Sequence, residues 1–253
     1  MKNGLNRREL FACTGAALGS ALLGGAVTCA ALPVELGKRT VRWGIAVDLA
    51  RCASRAGCRA CIEACHSTHQ VPRIADARHE IKWLWKEPFE RVFPEQIHPW
   101  APEAHKQKPV LVLCNHCAQS PCTRVCPTGA TWRRPDGVVA MDEHRCIGCR
   151  YCMVACPYGA RSFNWEHPVR NPSGGLYPTR AAGVVEKCNL CVERIDIGQA
   201  PLCVETCRAS AAGALIFGDL EDPESPIRQL LSTRQVLQRR PALGTEPRVF
   251  YLI

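Results

Sequence analysis

The chain has 253 residues, 47% hydrophobic and 22% charged, enough for one large domain or two small ones. After residue 33 no run of apolar residues is long and uncharged enough to span a bilayer, which excludes a membrane-embedded body. The formal charge of +9 suits an anionic partner such as nucleic acid, unless the chain carries anionic groups of its own. The unusual count is 18 cysteines, which admits a disulfide framework, zinc sites or iron–sulfur clusters; spacing has to decide among them.

The chain opens with an address. Arg7 and Arg8 stand before a weakly hydrophobic run rich in Ala, Gly and Leu, followed by small residues near Ala30. This resembles a twin-arginine export signal, expected over residues 1–31, with retention as an N-terminal anchor as the alternative. Cys13 and Cys29 fall inside it and are not expected to be ligands. Export in the folded state suits a protein whose metal centres are assembled before it leaves the cytoplasm.

The alternation over residues 43–49 predicts a strand leading into the first cysteine group: Cys52, Cys58, Cys61 and Cys65. A short helix over 59–66 would carry the last two. Residues 67–109 form an insertion containing Trp83, Trp85, Phe89, Phe93 and Trp100. Aromatics gathered there on an aromatic-poor chain predict either a partner-docking surface or a cover over the first site.

A strand over 110–113 then enters the second group: Cys114, Cys117, Cys122 and Cys126, followed by Pro127. Pro135-Asp136-Gly137 predicts a turn between strands over 131–133 and 138–141. The third group, Cys146, Cys149, Cys152 and Cys156 followed by Pro157, is the bacterial ferredoxin run: three closely spaced thiolates wrap one cubane and the fourth ligates another. The second group is the same run with two extra residues before its third ligand. The continuations Pro127-Thr128-Gly129-Ala130 and Pro157-Tyr158-Gly159-Ala160 complete an internal repeat. The fourth group is Cys188, Cys191, Cys203 and Cys207. Like the first, it lacks the proline but ends in a Cys-x3-Cys step.

Cys-x2-Cys in sets of four is a poor disulfide framework, and zinc quartets would leave the Cys-x3-Cys-Pro steps without a purpose. Iron–sulfur clusters are the expected cofactor. At roughly −2 for each thiolate-held cubane they would cancel most of the basic charge, so no nucleic-acid partner is expected.

Taken with their neighbours, the segments Val112–Cys117, Arg145–Cys152 and Glu186–Cys191 resemble the four-cluster electron-transfer subunits of bacterial respiratory complexes, over roughly residues 43–218. The resemblance implies an α+β fold of two interleaved ferredoxin-type modules (a double ferredoxin). The outer module would comprise 43–66 and 183–218, and the inner one 110–165, with 219–253 as a C-terminal extension. It also implies nested ligation of four 4Fe–4S clusters. Cys146, Cys149 and Cys152 would be joined by Cys126, and Cys114, Cys117 and Cys122 by Cys156. Cys52, Cys58 and Cys61 would be joined by Cys207, and Cys188, Cys191 and Cys203 by Cys65. The five-residue gap between Cys52 and Cys58 departs from the common two and leaves that cluster the least secure. The segments Cys65–Pro72 and His79–Phe89 are similar to the exported DsrO-type subunits of the membrane complex linked to dissimilatory sulfite reductase. That narrower likeness implies a quinone-interacting integral-membrane partner, a periplasmic multihaem cytochrome c and a role in sulfur metabolism.

In the tail, Ser225 and Pro226 read as N-cap and first residue of a helix reaching Leu237 or Gln238, and residues 248–252 as a last strand. His66 and His116 adjoin ligands and could donate to cluster sulfur, although a structural role is the simpler expectation. Lys187, Arg194 and Arg208 flank the fourth group and would either stabilise a reduced cluster or offset thiolate charge. No phosphate loop or nucleophile–base pair stands out, so no catalytic residue and no small-molecule substrate is assigned. The expected role is a periplasmic electron relay between the membrane partner and the cytochrome. The alternatives are the electron-transfer subunit of an exported molybdopterin oxidoreductase, such as polysulfide or tetrathionate reductase, and, in another class, a zinc- or disulfide-stapled binding module.

Overall fold

Ile45 and Val47 alternate with Ala46, so a strand built from them offers apolar side chains to both faces of a sheet. In the computed structural model, which describes residues 40–169, 177–210 and 212–253, they form β1 (Trp43–Asp48). The expected export signal, with Cys13 and Cys29, lies outside the described residues. β1 leads into α1 (Leu49–Ala53) and α2 (Ala60–Thr68). Then come β2 (Leu84–Pro88), α3 (Phe89–Val92), α4 (Glu103–Lys106) and β3 (Pro109–Leu113). α5 (Pro121–Arg124), β4 (Thr131–Arg133), β5 (Val139–Met141), α6 (Tyr151–Val154) and β6 (Ser162–Phe163) follow. The remainder is β7 (Val185–Glu186), α7 (Val192–Ile195), α8 (Leu202–Ala209), β8 (Leu215–Asp219), α9 (Pro226–Thr233), β9 (Val236–Leu237) and β10 (Val249–Leu252). Short helices beside small, mostly antiparallel sheets make this an α+β fold. Among the described residues no helix is long and apolar enough to cross a membrane.

The largest sheet has the order β8-β1-β10-β9 and joins the two ends of the described chain: Ile45 lies opposite Val249 in a parallel pair. Its two faces do different work. Ile45, Val47, Val249 and Tyr251 enter the main core, while Ala46 and Leu252 pack with Ile227 of α9. Gly218 permits that close approach, because a Cβ there would stand 2.3 Å from the Ser225 hydroxyl oxygen. Ser225 does hold the N-cap position, with Pro226 behind it, but its side chain makes no capping bond.

The tail helix is also shorter than its sequence suggests. It stops at Thr233, and Val236 and Leu237 pair with Leu252 and Tyr251 as an edge strand. Arg234, in extended conformation between them, reaches Asp48 at 2.9 Å and the Ile253 carbonyl at 2.9 Å. Asp48 also caps α1 by accepting the Arg51 amide at 2.9 Å, so one buried carboxylate fixes the start of the first cysteine loop to the chain's end.

The 67–109 insertion is a core element. Trp83, Trp85, Phe89 and Phe93 are all buried, and of the five aromatics expected either to dock a partner or to cover the first site only Trp100 is exposed, at 85%. The reason lies in β2 and β3, whose antiparallel pairing sets Leu84 opposite Leu113 and Trp85 opposite Val112. The insertion thereby completes the sheet beneath the second cysteine group.

A buried ionic staple holds this part to the later segments. Glu186, wholly buried, pairs with Arg180 at 2.7 Å and accepts from Trp83 Nε1 at 3.0 Å and from Asn164 Nδ2. Arg180 also donates to the carbonyls of His69 and Gln70 and lies over the Trp83 ring. Removing one partner of such a pair strands the other charge. Glu186→Ala is therefore expected to cost about 3–5 kcal/mol, a fall of roughly 10 °C in unfolding temperature for a chain of this size. Glu186→Gln, which still accepts from Trp83, should lose less. Equal melting of wild type and Glu186→Ala would refute the staple.

Candidate metal centres

Each cysteine loop turns by the same backbone device. The residue before the group's second cysteine has positive φ: Gly57 (70°) before Cys58, His116 (42°) before Cys117, Gly148 (69°) before Cys149 and Leu190 (61°) before Cys191. Left-handed residues set among right-handed ones fold the chain into a concavity lined by backbone N–H groups, which favours an anionic guest. The repeat after the second and third groups extends to the backbone, with φ of 62° at both Gly129 and Gly159.

The far cysteines of the first and fourth groups lie on helices. Cys61 and Cys65 sit one turn apart on α2, and Cys203 and Cys207 one turn apart on α8, so each pair points to one side about 6 Å apart. α2 and α8 pack together, and two thiol sets result. Burial, together with Cys207, Cys52 and Cys58, pushes the Cys61 thiol up to about 12, which gathers those four as the Cys52 set. Burial and the neighbouring Cys188, Cys203 and Cys191 push Cys65 well above its ordinary value; these four are the Cys65 set.

The second and third groups interlock in the same way. Cys114, Cys117, Cys122 and Cys156 line one small cavity, here the Cys114 set. Cys126, Cys146, Cys149 and Cys152 line another, the Cys126 set. All sixteen cysteines of the described residues fall into these four sets, none in a disulfide. The chemistry of the donors fits a cationic iron core. Four thiols confined together resist ionisation through burial and mutual repulsion, as at Cys117 and Cys188, both pushed up to about 12. A bound cation relieves both effects at once.

Burial opposes ionisation at Cys126, but hydrogen bonds from Thr128 and neighbouring amides hold it below the ordinary thiol value. Cys114 is a second exception. Burial opposes its ionisation, yet Lys187, His116 and Arg161 hold it well below the ordinary thiol value. Lys187 is buried and donates to the carbonyls of Val139 and Cys188. His116 Nδ1 accepts the Val139 amide at 3.0 Å, so its proton sits on Nε2, free to serve Cys114. Of the other flanking cations, Arg194 pairs with Glu205, while Arg208 is exposed. His66 bonds to the Leu84 backbone, and its buried Nε2 has no partner among the described residues.

Two contributors are missed when only neighbours of cysteines are inspected. Arg161 is buried and donates to Cys122 Sγ at 3.1 Å and Thr131 Oγ1 at 2.8 Å. His69, wholly buried, donates through one ring nitrogen to the Cys65 carbonyl at 3.0 Å and through the other to Glu193 at 2.9 Å. Burial disfavours its imidazolium, but Cys191 and Glu193 outweigh burial and push the pKa up to about 9. His69 was findable as the residue one helical turn beyond Cys65. Arg161 has no such signal, since only the fold brings it to Cys122.

The chain matches known proteins over this region and beyond. The family described as a 4Fe-4S dicluster domain matches residues 110–220. The Hdr-like menaquinol oxidoreductase iron-sulfur subunit 1 of Archaeoglobus fulgidus is 39% identical over 98% of this chain and 97% of its own length. The iron-sulfur cluster-binding subunit of the menaquinone reductase of Nitratidesulfovibrio vulgaris is 34% identical over 84% of this chain and 89% of its own. One subunit of the tetrathionate reductase of Salmonella typhimurium is 36% identical over 83% of this chain and 72% of its own. The match makes 4Fe–4S clusters the cofactor of this chain, and cysteine thiolates are their usual ligands.

Positive charge beside a thiolate-held cluster favours its reduced form. Arg161→Gln keeps a donor near Cys122 but removes the charge, so the potential of the neighbouring cluster should fall, by about 60 mV for each 1.4 kcal/mol of attraction lost. Redox titration followed by electron paramagnetic resonance reads the shift. An unchanged or raised potential would show that Arg161 is structural only.

Proposed function

The chain belongs to the family of 4Fe–4S electron-transfer subunits of oxidoreductase complexes, and we propose that it is a four-cluster electron wire built as a double ferredoxin. The observation that carries this reading is the order of the thiol sets. α2 and α8 tie the Cys52 set to the Cys65 set. Cys188 of the Cys65 set lies against Cys114 of the next. The steps Cys122–Cys126 and Cys152–Cys156 tie the Cys114 set to the Cys126 set. The result is a single file of four. The two middle sets are the more buried, whereas Cys52 and Cys58 are half-buried at one end and Cys149 is exposed at the other. A file sealed in the middle and open at both ends suits one-electron relay between two partners.

Each set would hold one cluster through its four cysteines, whose chemistry when bound is reversible uptake of one electron. The chain's own residues hold the thiolates, exclude water from the middle of the file and, through Lys187, Arg161, His116 and His69, place positive charge or donors beside them. In this reading the protein is exported by the twin-arginine route and sits on the periplasmic side of the membrane. There it joins a quinone-interacting integral-membrane protein to a multihaem cytochrome c in sulfur metabolism. The His66–Val71 and His79–Phe89 segments support that assignment, as does the similarity to a menaquinol oxidoreductase subunit over nearly the whole chain. The second reading, the electron-transfer subunit of an exported molybdopterin oxidoreductase, is favoured by the similarity to the tetrathionate reductase chain.

Two measurements test these proposals. Purified protein should carry about sixteen iron atoms, and Cys149→Ser about four fewer if one cluster is lost outright. Full iron in that variant would overturn the ligand assignment. Affinity purification of the native, detergent-solubilised complex should bring down covalent haem and a multi-spanning protein without molybdenum. A large molybdenum-containing protein would establish the second reading instead, and the absence of both would remove support from either partner set.

A further inference from the structure

The two ends of the file present different surfaces. Around the exposed Cys149 the surface is apolar, with Ile147 67%, Tyr151 63% and Val154 87% exposed. The cations there are engaged: Arg150 lies over the Trp165 ring at 4.8 Å, and Arg145 is 4.0 Å from Asp142. At the other end, the loop 53–57 between Cys52 and Cys58 is wholly exposed and consists of Ala53, Ser54, Arg55, Ala56 and Gly57. Arg59 follows Cys58 and Arg208 follows Cys207, both exposed, and Arg73 joins Arg59 in acting on His66. Among the described residues, none of the guanidinium groups of Arg55, Arg59, Arg73 and Arg208 has a carboxylate or hydrogen-bond partner. Lys86 adds a further positive charge by donating to the Cys58 carbonyl at 2.7 Å. Over residues 49–68 the only acid is Glu63.

We propose that this arginine-ringed face around the Cys52 set is the docking site of a redox protein that presents a carboxylate-rich surface around its own centre. The proposal rests on the electron-wire reading above. Arg55, Arg59 and Arg208 are exposed, adjoin the cysteines of this set in sequence and have no carboxylate partner among the described residues, and an acidic partner supplies one. Charged faces of this kind steer fast, short-lived encounters, which is the demand on a carrier that must leave after one exchange. An anionic lipid surface fits less well: the loop has no apolar side chain larger than alanine to insert, and a headgroup accepts no electron. The proposal also gives the longer gap between Cys52 and Cys58 a purpose, since its extra residues carry Arg55 outward.

The test uses cluster-loaded protein with ferric cytochrome b5 as an acidic probe and cytochrome c as a basic one, and reads binding affinity against ionic strength. Cytochrome b5 should bind, weakening as salt rises, and Arg55→Glu with Arg208→Glu should weaken it on the order of tenfold or more. Arg145→Glu at the opposite end should leave it unchanged, and iron content should be full in all variants. Salt-independent binding, tighter binding of cytochrome c, or equal loss in Arg145→Glu would overturn the proposal. So would binding to phosphatidylserine vesicles, abolished by the double variant, with no binding of cytochrome b5. A wild-type chain without iron would bring down the electron-wire reading and this proposal together. A chain with full iron that fails to bind the acidic probe would bring down the docking face alone.

Discussion

Confining sixteen thiols in four sets is the constraint on which the rest of this structure depends. Apart from metal, each set is an electrostatic conflict: burial favours neutral thiols, and any one thiolate disfavours the next. The chain eases the conflict with left-handed residues that turn amides inward and with cations drawn into the interior. Lys187 and Arg161 are buried with no carboxylate bound to them among the described residues, which would be costly in an ordinary core. Beside four thiolates they are in place.

The scaffold around these sites is thin. Among the described residues its helices are a few turns at most, and three of the four sheets have two strands. Stability therefore has to come from cross-links of other kinds. Glu186 reaches Trp83 across 103 positions, Arg180 reaches the His69 carbonyl across 111, and Asp48 meets Arg234 across 186. The 67–109 insertion adds the large apolar side chains that the cysteine loops themselves lack.

Much of the site was legible because cysteine spacing is constrained by the cluster itself. Runs of two intervening residues mark the turn around one set, and runs of three mark the step to the next. The turns were half visible: Gly57 and Gly148 announce positive φ, but His116 and Leu190 adopt it with no glycine to betray them. What failed to show depends on distance in sequence. Trp83 could not be assigned to a docking face or to a cover, because nothing local reveals that Glu186 waits 103 positions away. The tail helix was overextended because Val236 and Leu237 match helical periodicity, and only pairing with β10 makes them a strand. Arg161 and its sulfur contact were invisible for the same reason.

The parallel pairing of β1 with β10 has a consequence for the order of events during synthesis. β1 precedes the first cysteine loop, yet one of its two neighbours is the last strand of the chain, with Asp48 opposite Leu252. β10 follows all four cysteine groups in the chain, so the central sheet closes only after every one of these thiols has been made. The loops that bear the thiols are therefore made before their frame is complete. Closure of the frame is then a timing device, because the strand that completes it is made after the thiols it encloses.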